Sequence, residues 1–566
     1  MLVCSLSLTA CTGIWGGSAP AQGSGAVVGI PGTPSWTPFQ PEGSSDQAGD
    51  LPASPLPPAS TPAKIVSSPT PAYLWISPAV PASLRQSAST SGLSLAASSD
   101  TANARLDVLN PQSTTLDQQT SIWYYALVTP FPTLTDGVSL TAVMKSWAGQ
   151  AVSTFAGRPL WMDPATLAAF SVFWGPPADG AVRVVAADQL VDSAWADRPS
   201  WAIVPFEALE PRWKVLSVDG QSPVHNDFDP SAYPLKVTFS LQPALFSLPA
   251  TNRDPAKLTV LAMTGTTALV RATADRMEKH GVLYPGEEIR SVLRAADLTH
   301  VSNEISFTAN CPTPAPWTES LVFCSDPRYI ALLEDVGVDI VELTGNHLLD
   351  YGPAAFLNTL DMYDQQGWKY YGGGRDLAGA ESPLLLENNG NKLAFIGCNF
   401  AGPPGDWAAA DRPGSAPCDF AALDTQITGL RSQGYLPVMT FQYQEYYQTA
   451  PTAREQADFR QVAQAGAVIV SGSQSHMPAS MEFLDGSFIH YGPGNLFFDQ
   501  MSHQMPDGSL IYDTRNVFVD RHIFYAGRYI GTELLTYILE DYSRPRPMTD
   551  QERSQFLQNI FTVSGW

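Results

Sequence analysis

The stretch "VELTGNHLLDYG", residues 341–352, places three polar side chains directly after an apolar run. Asn346, His347 and Asp350 follow "VGVDIVELTG", which has the composition of a buried strand. In open α/β sheets, ligands bind outside the carboxyl ends of the strands. An amide oxygen and an imidazole in such a place can hold a metal ion or transfer a proton. The same residues can instead shape only the turn into a following helix, and both interpretations stay open.

Further polar side chains follow other apolar runs in the second half of the chain. They share the position just after or at the end of a strand-like segment, and they are Thr266, Asn303, Glu304, Gln442, Glu445, Ser473, Gln474 and His476. Because a buried carboxylate without a partner is costly, Glu304 is expected to face a polar site. For His476 two roles stay open, membership of a polar network and ligation of a metal.

The elements that must position these residues alternate regularly between positions 255 and 566. Strand-like runs such as "LTVLAM", "DIVELTG", "KLAFIG" and "LPVMTFQ" are separated by helical stretches, among them 328–337 and 353–366. Thr549 and Glu552 have the spacing of a capping box and predict a final helix. This alternation predicts a layered α/β domain.

Six motifs between Gly265 and Asp499 resemble, in order and spacing, those of the CapA family of capsule or poly-γ-glutamate biosynthesis proteins. The segments are "GTTALVR", "SNE", "GNHLLDYG", "QYQEY", "GSQSH" and "YGPGNLFFD". The resemblance implies an α/β fold for residues 255–566: a calcineurin-like, metallophosphatase-like β-sandwich flanked by helices, with ligands on loops after the strands. It also implies a loop at "YYGGGRD" (370–376) and a role in polymer assembly at the cell envelope.

The same resemblance implies a reduced set of metal ligands. Thr266 stands where the family has an Asp, Gln442 where it has a His, and Ser473 and Gln474 where it has two more. The candidate metal ligands that remain are Glu304, Asn346 and His476. His347 is the candidate catalytic residue, which would stabilise or protonate a leaving oxygen. The other expected pocket residues are Thr266, Asn303, Gln442, Glu445, Ser473 and Gln474.

Hydroxyls and neutral amides bind divalent cations weakly, and two-metal centres need several carboxylate and imidazole ligands. We therefore expect a degenerate site with at most one divalent metal, Mn, Fe or Zn, weakly held, or with none.

Residues 73–248 are predicted to form a smaller α/β domain. Short β-like runs such as "YLWIS" and "WAIVPF" alternate there with helix-like stretches, one of them at 139–150. The stretch from Asp219-Gly220 to Tyr233-Pro234-Leu235 resembles the second half of periplasmic-binding-protein-like domains. A generic α/β domain is the alternative.

The beginning of the chain predicts export and anchoring. Residues 8–11, "LTAC", resemble a bacterial lipobox at the end of a signal peptide assigned to residues 1–11, in which Cys11 would be lipidated and become the first residue of the mature protein. Residues 12–72 are rich in Pro and Ser, and this composition predicts a disordered stalk. The expected location is extracytoplasmic, with a lipid anchor in the cell membrane. The alternative is a disordered tail that contains Cys11 by chance.

Four further cysteines form two closely spaced pairs. An even number of cysteines in an exported chain favours disulfides, so we expect Cys311–Cys324 and Cys398–Cys418. Neither pair has the CxxC spacing of a zinc knuckle.

The charge balance excludes one class of partner. The formal net charge is −23, with no basic run, so the chain repels phosphate backbones and nucleic acid is set aside. The expected partners are an anionic extracellular polymer or envelope assembly proteins, with the membrane contacted through the lipid anchor.

Three functions remain at this point. The first is a surface-anchored hydrolase with reduced metal content, and the second is a non-catalytic protein that binds or scaffolds a capsule-type polymer. The number of surviving ligands favours the second. A solute-binding receptor built on residues 73–248 is the third.

Overall fold

The computed structural model describes residues 72–109, 117–318 and 320–566. The predicted signal peptide, Cys11 and the predicted stalk up to residue 71 lie outside the described residues. The described part belongs to one compact unit. Within it, none of the helices has the length and apolarity that a membrane crossing requires.

The first part of the chain is built around a mixed sheet, in the order β2-β1-β3-β10-β4-β8-β6-β7, with β9 paired to β4 and β5. Its strands are β1 (Tyr73–Ile76), β2 (Ser94–Leu95), β3 (Ala104–Val108), β4 (Gln119–Pro130), β5 (Gly137–Val138), β6 (Leu160–Met162), β7 (Val182–Val184), β8 (Trp201–Pro205), β9 (Trp213–Val218) and β10 (Lys236–Gln242). The long strand β4 pairs antiparallel with β8, β9 and β10. The α/β class predicted for this region is confirmed.

Four helices accompany this sheet, α1 (Ala82–Ser89), α2 (Leu140–Trp147), α3 (Pro164–Trp174) and α4 (Leu190–Ala196). Local sequence explains the start of α3, because the side chain of Asp163 accepts hydrogen bonds from the backbone of Ala165 and Thr166. Pro164 occupies the first helical position, where a missing N–H does no harm. The helix predicted at 139–150 is α2, with Ser139 as its N-cap.

The second part of the chain contributes the remaining strands. They are β11 (Leu258–Thr267), β12 (Leu298–Asn303), β13 (Ile340–Glu342), β14 (Lys369–Tyr371), β15 (Gly373–Gly374), β16 (Leu384–Asn388), β17 (Asn391–Asn399), β18 (Gly414–Ser415), β19 (Leu436–Gln442), β20 (Ile469–Gly472), β21 (Met481–Leu484), β22 (Ser487–His490), β23 (Asn495–Phe497), β24 (His503–Gln504), β25 (Leu510–Ile511), β26 (Asn516–Tyr525), β27 (Arg528–Glu540) and β28 (Arg544–Pro547). The segment "YYGGGRD" therefore contains the end of β14 and all of β15, so the expectation of a plain loop there is wrong.

Two of the sheets in this part face each other. One has the order β14-β13-β12-β11-β26-β27-β28 with β23 beside β11, and the other has the order β16-β17-β19-β20-β22-β21. Their facing side chains form one apolar cluster, to which Met263 and Phe518 of the first sheet and Phe395 and Val438 of the second belong. The predicted β-sandwich is confirmed.

Helices cover both outer faces of this sandwich. The helices of this part are α5 (Arg271–His280), α6 (Arg290–Leu293), α7 (Ile330–Asp335), α8 (Gly352–Gln366), α9 (Leu377–Glu381), α10 (Phe420–Ser432), α11 (Ala453–Ala465) and α12 (Asp550–Val563). Met277, Leu333 and Phe356 of α5, α7 and α8 pack on the first sheet. Residues of α10 and α11 pack on the second sheet. Central strands such as β11 and β19 are buried along their whole length, as strands covered on both faces must be.

Local signals set several boundaries. The predicted capping box of Thr549 and Glu552 starts α12, and a second box of Thr452 and Glu455 starts α11. The helix predicted at 328–337 is shorter, because residues Pro327–Tyr329 form a 3₁₀ turn before α7.

The structure contains both predicted disulfides, Cys311–Cys324 and Cys398–Cys418. The second closes the long connection after β17. Strands β11, β12 and β13 run parallel, as do β17, β19 and β20, so their carboxyl ends lie at a common edge of each sheet.

Candidate functional site

The carboxyl ends of three strands bring an acid and two amides together. The Nε2 of Gln442, the last residue of β19, donates a hydrogen bond to Glu304 Oε1 at 3.1 Å and to Asn346 Oδ1 at 3.0 Å. Glu304 and Gln442 are buried. A side-chain amide has two N–H donors, one for each of these oxygens, and the opposite amide orientation would place oxygen against oxygen. We call Glu304, Asn346, His347, Gln442 and Ser473 the strand-end site.

Gly345 allows the loop after β13 to reach this place. A Cβ on Gly345 would lie 2.7 Å from the Cα of Glu304 and 2.9 Å from its carbonyl oxygen. Any larger residue would push the loop that carries Asn346 and His347 away from Glu304. The glycine in "TGNH" is therefore a structural requirement of the site.

Ser473 and Thr266 have hydrogen-bond partners of their own. Ser473 Oγ lies 3.2 Å from Gln442 Oε1 and 2.9 Å from Glu342 Oε1, while Thr266 Oγ1 donates to the carbonyl of Ser473 at 2.5 Å. Burial raises the pKa of Glu342, against the opposing hydrogen bonds from Thr344 and Ser473. Glu342 was not among the predicted site residues, although it is part of the quoted segment "VELTG". The strand-end site thus continues into the sandwich as a buried hydrogen-bonded network.

His347 is oriented by Asp350. Its Nδ1 lies 2.8 Å from Asp350 Oδ2, and the same carboxylate oxygen accepts from the backbone N–H of Phe323 at 2.7 Å. Burial lowers the pKa of His347, but the hydrogen bond to Asp350 and the charges of Glu304, Asp350 and Asp406 outweigh it, so the pKa is raised. With Nδ1 engaged, Nε2 is the nitrogen left for a ligand. Asp350 therefore does more than shape the turn.

Asp406 is a further acidic group that the sequence analysis missed. It lies in the connection closed by the Cys398–Cys418 disulfide and is 7% exposed. Burial, followed by the charge of Asp350, raises its pKa to about 6, while His347 and Arg412 act in the opposite direction. No motif marks this residue, and only its position inside a disulfide-closed loop could have drawn attention to it.

Asn399, also missed, ends β17 beside the same loop. Its Oδ1 accepts from the backbone of Gly402 at 2.6 Å, and its Nδ2 lies 3.5 Å from the carbonyl of Gly345. A polar residue directly after the run "KLAFIGC" carries the same strand-end signal as Gln442, so this residue could have been found.

His476 belongs to a neighbouring polar cluster. Its Nδ1 lies 2.8 Å from Asn495 Oδ1, and the Nδ2 of Asn495 donates to the carbonyl of His476 at 2.9 Å. Its Nε2 lies 3.9 Å from Glu445 Oε1, and its ring stacks on Phe498 at 5.1 Å between centroids. His476 has a φ of +48°, a left-handed conformation that is uncommon outside glycine.

Arg271, from the "GTTALVR" motif, lies between the aromatic rings of both clusters. Its guanidinium is 5.0 Å from the ring centroids of Phe323 and Phe498 and forms a two-pronged ion pair with Asp499. Phe323 contacts the ring of His347 with 4.5 Å between centroids. Arg271 thereby connects the strand-end site, through Phe323 and His347, to the polar cluster of His476, through Phe498.

Two of the predicted pocket residues, Asn303 and Glu445, have partners other than Gln442, and a third, Gln474, has an unpaired amide oxygen. Asn303 donates to the carbonyl of Ile305 at 2.7 Å and to the hydroxyl of Tyr363 at 2.6 Å. Glu445 accepts a hydrogen bond from the hydroxyl of Tyr447. Gln474 is buried and, within the described residues, its Oε1 has no hydrogen-bond partner.

The side chains of the strand-end site do not fit a two-metal centre. Among the described residues, no group of three or more His, Cys, Asp or Glu side chains could hold a metal ion. The oxygens of Glu304 and Asn346 face the N–H donors of Gln442, so a cation would have to displace that amide. Two-metal hydrolysis needs charged ligands around both ions, and the strand-end site offers one carboxylate, Glu304, beside the neutral amides of Asn346 and Gln442.

Comparisons with known proteins match part of this chain to one family model and to several relatives. Residues 260–500 match the model of a family described as bacterial capsule synthesis protein PGA_cap. The capsule biosynthesis protein CapA of Bacillus anthracis is 23% identical over 270 residues, which are 46% of this chain and 65% of the relative. The PGA biosynthesis protein CapA of Bacillus subtilis (strain 168) is 26% identical over 183 residues, which are 32% of this chain and 48% of the relative. The chain thus spans between about half and two thirds of these relatives.

A solved structure of the calcineurin-like phosphoesterase YfkN from Bacillus subtilis is also similar to this chain. The identity is 13% and the TM-score is 0.29, and the match covers 54% of this chain and 99% of that chain.

Proposed function

We propose, because residues 260–500 match the model of a bacterial capsule synthesis family, that this protein takes part in the synthesis or export of a poly-γ-glutamate-like capsule polymer at the cell envelope. The names of the two CapA relatives support this role. An extracytoplasmic location is supported by the two disulfides, which persist in oxidising compartments.

Within that role, the strand-end site binds rather than hydrolyses. One observation carries this conclusion: the amide of Gln442 lies between Glu304 Oε1 and Asn346 Oδ1 and donates to both. Both oxygens already have a donor, so a cation bound between them would have to displace these two hydrogen bonds. Breaking them would leave a buried donor unsatisfied, which costs about 1–3 kcal/mol.

His347 is the group best placed to hold an anionic polymer. With its Nδ1 held by Asp350, its Nε2 can donate to a carboxylate. Its raised pKa keeps it charged at a higher pH than an ordinary histidine. Asp406 opposes an anion while it is ionised, but with a pKa of about 6 it becomes neutral in mildly acidic solution. Polymer binding is therefore expected to strengthen as the pH falls below 6.

The proposal includes the attachment of the protein to the membrane. A lipid on Cys11 would anchor it, residues 12–72 would serve as a stalk, and envelope assembly proteins would be further partners. A single weakly held Mn, Fe or Zn ion remains compatible with this role.

Metal content and polymer binding test the proposal together. The purified full chain is dialysed against Mn²⁺, Fe²⁺ or Zn²⁺, its metal is quantified by mass spectrometry, and turnover of p-nitrophenyl phosphate is measured. Binding of poly-γ-glutamate oligomers is measured calorimetrically at pH 5.5 and 7.5. We expect substoichiometric metal, no turnover, and stronger binding at pH 5.5 that His347→Ala weakens.

The matched control for this experiment is His280→Ala, because His280 is an exposed histidine at the end of α5. Stoichiometric metal together with turnover that is lost in His347→Ala would contradict the binding role. That result would support the second candidate function, a metal-dependent phosphoesterase of the cell envelope. The observation in favour of the second function is the hydrogen bond between His347 and Asp350, which prepares a proton donor.

A further inference from the structure

A cavity of about 330 Å³ lies where the mixed sheet of strands β1 to β10 meets the β-sandwich. One wall comes from the segment after β4 and from β9, and the other comes from β27, residue Met548 and α12. None of its lining residues belongs to the strand-end site. We call it the Lys214 cavity. Its volume falls at the small end of the range for ligand pockets, which often lie between domains.

Part of the lining is apolar and tightly surrounded by the core of the sandwich. Phe131, Leu557 and Phe561 are buried in the central cluster of the sandwich, and Leu534 and Met548 pack against it. The rings of Phe131 and Phe561 are 6.4 Å apart between centroids. Such walls accept an aromatic or alkyl group and release water from it.

Lys214 and Arg553 supply two positive charges at the lining. Lys214 Nζ donates to the carbonyl of Thr133 at 2.6 Å and pairs with Asp136 Oδ1 at 2.7 Å. Arg553 Nη2 pairs with the same oxygen at 2.9 Å. One carboxylate is thus shared by two cations. The side chain of Lys214 is 13% exposed, whereas that of Asp136 is 62% exposed, so the carboxylate lies largely in water.

Arg521, Glu533 and His225 form a second polar group of the lining. Arg521 Nε donates to Glu533 Oε2 at 2.6 Å, and its Nη2 lies 2.8 Å from His225 Nε2. Burial would raise the pKa of Glu533, but Arg521 and His225 lower it to about 2, so the carboxylate stays ionised. This group is therefore balanced when His225 is neutral.

The cavity as a whole carries excess positive charge. Lys214, Arg521 and Arg553 face only Asp136 and Glu533, in a chain with a net charge of −23. A partly buried ammonium without its full share of counter-charge is costly, since its solvation is lost. Burial accordingly lowers the pKa of Lys214 to about 8, even though Asp136 acts against it.

We propose that the Lys214 cavity binds a small amphiphilic organic anion, whose carboxylate or sulfonate lies at Lys214 and Arg553 and whose aromatic or alkyl part lies against Phe131, Leu557 and Phe561. The anion supplies the missing counter-charge and the apolar part fills the remaining volume. By volume the cavity corresponds to about ten water molecules, which suits a ligand with one ring and a short chain.

The experiment uses the full chain and the fluorescent probe 1-naphthalenesulfonate, whose single fused ring system and one sulfonate are close in size to the proposed ligand. The probe is titrated, and it is then displaced with 4-phenylbutyrate or with its neutral counterpart 4-phenylbutanol. Because a charge-assisted hydrogen bond drives binding, we expect the carboxylate to compete at least about tenfold better than the alcohol. Lys214→Met should lower the affinity for the probe and for 4-phenylbutyrate by about tenfold or more. Lys214→Arg, which keeps the positive charge, should retain most of the wild-type affinity.

The control is Lys145→Met, which removes an exposed lysine of α2 outside the cavity and should leave both affinities unchanged. Leu534→Trp, which fills the apolar end, should abolish probe binding while a cooperative unfolding transition persists. Equal affinities in Lys214→Met and Lys145→Met would overturn the proposal. Displacement by the alcohol as strong as by the carboxylate would also overturn it, because the cavity would then recognise apolar surface alone.

Discussion

The strand-end site and the Lys214 cavity differ in how their polar and charged groups are matched with partners. In the strand-end site, the carboxylate of Glu304 and the amide oxygen of Asn346 share the two N–H donors of Gln442. In the Lys214 cavity, two cations share one exposed carboxylate, Asp136. A site whose polar groups satisfy each other needs no ligand to be stable, whereas an unbalanced site gains stability when a counter-charge binds. A chemically interesting sequence motif therefore does not by itself mark the place that most needs a ligand.

The largest expected effect comes from removing the two hydrogen bonds that Gln442 donates to Glu304 and Asn346 in the strand-end site. Gln442→Glu would place three oxygen-bearing side chains around one buried point. Without metal, this variant should lose about 3–5 kcal/mol of unfolding free energy, because a buried carboxylate would face Glu304 and Asn346. Added Mn²⁺ should recover part of the loss, since the three oxygens then suit a cation. Urea unfolding in EDTA and in Mn²⁺ measures both effects.

Gln444→Glu is the matched control for that substitution. Gln444 is exposed two residues further along, so its change should stay within about 0.5 kcal/mol and should not respond to metal. If Gln442→Glu in EDTA had the stability of the wild type, the hydrogen bonds of the Gln442 amide would not contribute to the free energy of unfolding, and the prediction would be wrong.

The second effect concerns the unbalanced Lys214 cavity. The pKa of Lys214 is lowered from 10.5 to about 8, so the unfolded chain takes up this proton before the folded one as the pH falls. The contribution of Lys214 to stability is therefore present above pH 10.5 and lost as the pH falls towards 8. The unfolding free energy of the wild type, relative to Lys214→Met, should be about 2–3 kcal/mol higher at pH 10.5 than at pH 8.

Denaturant unfolding across this range tests the prediction, with Lys145→Met expected to follow the wild type. Saturating 4-phenylbutyrate should flatten the difference, because a bound anion favours the charged ammonium. A wild type and a Lys214→Met variant with parallel pH profiles would remove the contrast between the two regions.

A third, smaller effect belongs to Asp406 at the edge of the strand-end site. Burial raises its pKa from 3.8 to about 6, so the folded state holds the proton more tightly than the unfolded state. Its contribution is fully present below about pH 4 and is lost as the pH rises through 6. Asp406→Asn should therefore stabilise the protein by about 1–2 kcal/mol at pH 7.5 and by nothing measurable at pH 4.

Thermal or urea unfolding at the two pH values distinguishes this outcome from a general effect of lost charge. Asp411→Asn, in the same loop but exposed, is the control and should change stability little at either pH. Equal effects of the two variants would show that the environment of Asp406 is ordinary.

The smallest expected effect is that of Asp350→Asn. The amide oxygen of Asn can still accept from His347 Nδ1 and from the backbone of Phe323, so stability should fall by no more than about 1 kcal/mol. The pKa of His347 should fall, because a negative charge and a charge-assisted hydrogen bond are lost. Proton NMR titration of the His347 ring measures the shift, and an unchanged pKa would mean that Asp350 does not set the charge of this histidine.

The fold of the second part was largely predictable. Runs such as "LTVLAM" and "LPVMTFQ" became the buried strands β11 and β19, and Thr549 with Glu552 started α12 as its capping box indicates. Less predictable were the short pieces. The segment 370–376 supplied β14 and β15, because pairing with β13 and β18 provides partners that local sequence does not reveal.

The candidate site was predictable as a set of positions, and less so as a set of contacts. Glu304, Asn346 and Gln442 meet as strand-end residues of neighbouring parallel strands should. Asn303 contacts Ile305 and Tyr363, because the side chain next to Glu304 at the strand end points the other way. Asp406 was missed because its relation to His347 depends on how a disulfide-closed loop folds over the edge.

By itself, the sequence determined which residues end the strands of this protein and predicted how its cysteines pair. These features follow from local periodicity, spacing and residue type. Only the tertiary structure decided that the oxygens of Glu304 and Asn346 face an amide, and that Lys214, Arg521 and Arg553 line one cavity with too few carboxylates. The physical reason is that solvation and charge balance depend on every group packed around a site, and those groups come from segments far apart in the chain.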